Sequence, residues 1–85
     1  AVWFVPLADL TDPSLLLQSI LQAMGVVPSG GREPLEQAAD ALGGAPTVLI
    51  LDNFEQLVEG GAPIVLGLLQ RVPTLRCVVT SRQPL

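Results

Sequence analysis

The chain has no lysine, no histidine and one cysteine, Cys77. Each absence removes a class of chemistry. A single cysteine cannot form an internal disulfide, and without histidine there is no cysteine- or histidine-based zinc site. Cys77 also has no imidazole to activate it as a nucleophile. The four arginines are scattered, and the net charge is -4 with a pI near 4.3. A surface of that sign does not neutralise phosphates, so this segment is not expected to bind nucleic acid directly. Apolar runs fall short of the roughly 18 residues of a membrane span, and no basic leader precedes the first. The expectation is a soluble, cytoplasmic protein with no membrane contact.

Charge is scarce overall. Only 14% of residues are charged and 49% are hydrophobic, against about 25% charged in an average domain. A globule of 85 residues hides only roughly 60% of its chain surface. That much apolar surface on a small unit predicts that some of it meets something else. Ala1 opens directly in an apolar run. The chain therefore reads as one partial domain, residues 1–85, cut from a longer protein.

Secondary structure alternates along the sequence. Ala1–Leu7 reads as a short buried strand with Pro6 near its end. Asp12 and Pro13 suit the cap and first position of a helix. Leu16, Leu17, Ile20, Leu21 and Met24 then share one face, and Gly25 stops it. A turn-rich stretch from Val26 to Arg32 leads to a second helix from Pro34 to Leu42, ended by Gly43-Gly44. Thr47–Leu51 is an unbroken apolar strand that ends on Asp52. A short helix from Phe54 to Glu59 is expected to break at Gly60-Gly61 and to restart at Pro63 through Arg71. Leu75–Thr80 is a third strand. Strands alternating with helices predict an α/β fold with parallel strands and helical crossovers.

The strand ending at Asp52 carries the most information. Apolar strands of parallel sheets deliver polar residues to the carboxyl edge, where ligands of open α/β sheets bind. A carboxylate there suits a hydrated magnesium ion on a nucleotide phosphate, so the run reads as a Walker B strand. The competing reading is a simple helix cap. The third strand also ends in polar residues, Thr80-Ser81-Arg82. Together the two ends offer a carboxylate for a cation, hydroxyls for water or phosphate, and a guanidinium for a terminal phosphate. Asn53 stands where many ATPases hold a second acid, and an amide cannot take a proton. Glu55 is the nearest carboxylate that could act as catalytic base, or it is a favourable charge in the first helical turn. Trp3, Phe4 and Phe54 read as packing residues. Gly30-Gly31 and Gly60-Gly61 lack the lysine and spacing of a phosphate loop.

Three segments, VWFVPLADLTDPSLLLQSILQAMGV, TVLILDNFEQL and LRCVVTSRQPL, make the chain resemble the signal-transduction P-loop ATPases (STAND class, relatives of NB-ARC domains). The likeness is to the ATPase module of large bacterial LuxR-type and AfsR-type transcriptional regulators, and it spans essentially the whole chain. It implies a three-layer α/β sandwich fragment with three parallel strands in the order first-second-third, part of an incomplete P-loop NTPase sheet. Asp52, with Asn53 adjacent, then corresponds to the Walker B acid that supports Mg2+. Thr80, Ser81 and Arg82 correspond to the segment that senses the terminal phosphate. The cofactors implied are ATP or ADP with Mg2+ in the intact parent, none of them held by this segment alone. The partners implied are the rest of its own ATPase domain, regulatory domains and an oligomer. The phosphate loop with its Lys and Ser/Thr is absent from these residues, so the segment by itself is expected to be inactive. A strand-end Asp followed by a strand-end Thr also fits a receiver domain, with Asp9 or Asp12 as acidic partners, but that mechanism needs a later lysine. A degenerate interaction scaffold is the third alternative.

Overall fold

The computed structural model describes residues 1–27 and 30–81. Strand β1 spans Val2–Pro6, β2 spans Thr47–Asp52 and β3 spans Leu75–Val79. Helix α1 covers Leu16–Ala23, α2 covers Pro34–Leu42 and α3 covers Val58–Arg71, with 3-10 turns at Pro13–Leu15 and Phe54–Leu57. The strands form one sheet in the order β1-β2-β3, and both pairings are parallel. The α/β class, the parallel sheet and the strand order match the expectation.

Local signals explain most element ends. Asp12 caps the turn before α1: its carboxylate accepts from the Ser14 amide at 3.0 Å and the Ser14 hydroxyl at 2.8 Å. These two bonds, the amide one foremost, hold the Asp12 carboxyl below its ordinary value. At the far end Gly25 takes φ 72°. The Val26 amide donates to Leu21 O at 2.9 Å and the Gly25 amide to Gln22 O at 3.0 Å. That bond pair is the Schellman closure, which needs a residue free to enter the left-handed region. In α2, Gln37 is buried, and its amide donates to Val27 O at 2.8 Å, tying the connection to the helix.

One expectation is corrected. The chain does not break at Gly60-Gly61; α3 runs unbroken through both glycines and Pro63. The glycines serve close approach. A Cβ on Gly60 would lie 2.4 Å from Pro13 Cγ, and one on Gly61 would lie 2.9 Å from Phe54 Cζ. Packing against the turn before α1 and against the Phe54 ring thus overrides the helix cost of glycine. Pro63 supplies no N–H to the Glu59 carbonyl, and Glu59 is exposed, so water is at hand for that acceptor.

The helices cover one face of the sheet. Val5, Leu49, Leu51 and Leu75 pack with Leu16, Ile20 and Leu21 of α1, Ala38 and Leu42 of α2, and Leu68 of α3. Topology explains this: both crossovers step in the same direction across the sheet, so connections of one hand fall on one side. On the other face the register row Phe4–Ile50–Val78 keeps Phe4 54% and Val78 47% exposed. Part of the apolar excess of the composition sits here.

Candidate functional site

β2 carries Asp52 to the carboxyl edge of the sheet, and the parallel register Leu51↔Val79 places Thr80 beside it. The backbone stitches the strand ends together. The Thr80 amide donates to Leu51 O at 3.0 Å, the Phe54 amide to Thr80 O at 3.0 Å, and the Leu7 amide to Asp52 O at 3.0 Å. All three strands are therefore locked where the candidate chemistry lies.

The side chains form a closed ring of hydrogen bonds. Thr80 Oγ1 lies 2.6 Å from Asp52 Oδ1, and the Asn53 backbone amide donates to Thr80 Oγ1 at 3.2 Å. Asn53 Nδ2 donates to Asp52 Oδ2 at 3.1 Å. Asn53 itself sits in the left-handed region, φ 62° and ψ 51°, and is 4% exposed. Asparagine tolerates this conformation better than other residues with a Cβ. The turn it makes ends β2 abruptly and starts the 3-10 turn at Phe54.

The predicted site residues are therefore partly assembled. Asp52, Asn53 and Thr80 meet directly, and Ser81 follows next in the chain, half-buried. Arg82 lies outside the described residues. Glu55 is half-buried, and its Oε2 is buried without a hydrogen-bond partner among the described residues. A contributor the sequence did not single out is Gln56. Its amide nitrogen donates to Leu7 O at 2.7 Å and Leu10 O at 3.0 Å, with Ala8 O at 3.4 Å. That side chain holds the loop after β1 against the segment after Asp52. No periodicity or motif signals such a contact, because the partners lie more than forty residues away.

The donor set suits one kind of metal. Among the described residues no three His, Cys, Asp or Glu side chains come together, so no protein cage for zinc or calcium exists there. Magnesium is different: it keeps several waters and takes one or two carboxylates together with substrate phosphates. Asp52 fits that role, since a carboxylate offers about four lone-pair sites and two bonds to its oxygens are identified here. A groove lined by Arg32, Glu36, Asp40, Arg71 and Thr74 lies before the starts of β2 and β3, at the opposite edge from Asp52. Arg32 and Asp40 form an ion pair there. Cys77 is half-buried in β3, and burial pushes its thiol up from the ordinary value, which makes it less reactive.

Comparison with known proteins locates similar sequence in mycobacteria. Over 82 residues, 96% of this chain, it is 30% identical to proteins of Mycobacterium tuberculosis and Mycobacterium bovis whose names assign them to the HTH-type transcriptional regulators. It spans 9% of their length. It is also 30% identical over 81 residues to an uncharacterised M. tuberculosis protein, spanning 21% of that protein. No protein-family model and no solved structure matches the chain. The similarity thus points to a regulator context and covers a small part of each relative.

Proposed function

We propose that this chain is the Walker B and sensor part of an ATP- or ADP-binding switch module in a bacterial, cytoplasmic transcriptional regulator. The observation that carries the reading is the meeting of Asp52 and Thr80 at the carboxyl edge of adjacent parallel strands, the edge where ligands of such sheets bind. The likeness to proteins named as transcriptional regulators supports the regulatory context.

In this reading Asp52 holds a hydrated Mg2+, which when bound neutralises charge on the nucleotide phosphates. Thr80, Ser81 and Arg82 are the segment assigned to sensing the terminal phosphate. Glu55 is the nearby carboxylate able to take a proton from water, a task the Asn53 amide cannot perform. The uncovered sheet face and the free edge of β3 receive the remainder of the ATPase domain, which brings the phosphate loop. Because most phosphate contacts of such folds come from that loop, Mg-ATP titrated into this chain alone should bind weakly or not at all. Micromolar affinity contradicts that part of the reading.

A second reading is a non-hydrolysing scaffold, favoured by Asn53 at a position where a base would serve hydrolysis. Asp52→Ala in the full-length protein separates the two: loss of the nucleotide response supports the switch, and an unchanged response and output support the scaffold. The receiver reading is weaker, because Asp12 is spent as a helix cap and no acidic triad forms among the described residues. Acetyl phosphate should leave Asp52 unmodified; phosphorylation there favours the receiver.

A further inference from the structure

The Thr80 hydroxyl has one proton, and its destination decides what Thr80 does. An ionised carboxylate only accepts hydrogen bonds, and a backbone amide only donates them. The 2.6 Å contact with Asp52 Oδ1 is therefore made by the Thr80 proton, while Thr80 Oγ1 accepts from the Asn53 amide at 3.2 Å. The first distance falls in the range of a charge-assisted O–H···O⁻ bond. Phosphate oxygens at neutral pH need donors, and Thr80 has no second proton to give.

From this geometry we propose that Thr80 is a positioning residue for the metal-binding carboxylate and not a phosphate contact. The inference rests on the nucleotide-switch reading and reassigns one residue within it. Thr80 joins the end of β3 to the metal acid on β2 and to the left-handed Asn53 that ends the strand. Asn53 completes the ring through its Nδ2 bond to Asp52 Oδ2 at 3.1 Å. The carboxylate is held from both oxygens, and its remaining lone pairs would be open to a cation. A shift of β3 relative to β2 then changes metal affinity without any contact between Thr80 and the nucleotide.

The test uses the full-length protein with Thr80→Val and Thr80→Ser. Mn2+ affinity is read by electron paramagnetic resonance with ADP present, ADP affinity is read in EDTA, and amide hydrogen exchange is followed at Asn53 and Phe54. Loss of an outer-shell partner typically weakens metal binding about 10–100-fold. Thr80→Val should show that loss, with metal-free ADP affinity unchanged and faster exchange at the Asn53 amide. Thr80→Ser should restore both. The Phe54 amide donates to the Thr80 backbone carbonyl, so its retained protection marks an intact fold. Should Thr80→Val fail to fold, Thr80→Ala carries the same comparison. A parallel fall in metal-free affinity makes Thr80 a phosphate donor and overturns the proposal. So does unchanged Mn2+ affinity or unchanged exchange at Asn53. A wild-type protein that binds no metal–nucleotide refutes the switch reading itself, a result distinct from failure of the Thr80 assignment alone.

Discussion

Replacing Asn53 by alanine or by glycine should reverse the usual ranking of these two residues. Both variants lose the bond from Asn53 Nδ2 to Asp52 Oδ2, a hydrogen bond to a charged group worth about 1.5–3 kcal/mol. They differ in the backbone. At φ 62° and ψ 51° an alanine Cβ crowds the following carbonyl, costing roughly 1–2 kcal/mol. Glycine escapes that cost but gives up about 0.5–1 kcal/mol of backbone entropy. The balance leaves Asn53→Ala less stable than Asn53→Gly by about 0.5–1 kcal/mol. With a urea m-value of about 1 kcal/mol/M for a small domain, the two midpoints separate by about 0.5–1 M. Equilibrium urea unfolding followed by Trp3 fluorescence measures this, with equal slopes required for a fair comparison. An alanine variant as stable as the glycine variant, or more so, refutes the left-handed turn at the end of β2.

Two further predictions concern packing and pH. Gly60→Ala should lower Tm, since overpacking against the Pro13 ring costs about 1–3 kcal/mol and exceeds the roughly 1 kcal/mol of helix propensity gained. Gly67→Ala meets only ordinary contacts with Leu35 at 3.6 Å and 3.9 Å and should raise Tm by about 4–8 °C; calorimetry that finds the same sign for both contradicts the close approach of α3. Burial raises the Cys77 thiol above its ordinary value. Its contribution to stability is therefore complete below the ordinary thiol value and is lost as pH rises through the raised one, because the unfolded chain ionises first. Unfolding curves between neutral pH and pH about 10 should show a decline that Cys77→Ala removes; an identical decline in the variant assigns it elsewhere.

Much of the fold was legible because its signals are local. The apolar run ending at Asp52, the Asp12-Pro13 cap and the Pro34 start each act within a few residues, and the three strands, α1 and α2 stand within about a turn of their expected places. Gly60-Gly61 misled because its reason is not local: the glycines answer to Pro13 and Phe54 across the packing of α3. The site shows the same division. Asp52, Ser81 and Thr80 were readable as polar strand ends, but the Thr80–Asp52 bond depends on strand register 28 residues apart. Asn53 was readable as a poor base and not as a left-handed turn residue, since that conformation follows from the amide bond to Thr80 and from burial. The strand order came from the family resemblance, and the one-sided helical cover follows from that order.

The proposed assignment of Asp52 to a magnesium–nucleotide site rests on its place at the carboxyl edge of β2. The most direct measurement is the affinity of the full-length protein for ADP and ATP with and without Mg2+, in wild type and in Asp52→Ala. Mg2+ should tighten nucleotide binding in the wild type, and Asp52→Ala should abolish this gain while metal-free binding persists. Nucleotide affinity that responds to Mg2+ identically in both proteins, or no nucleotide binding by the wild type, contradicts it.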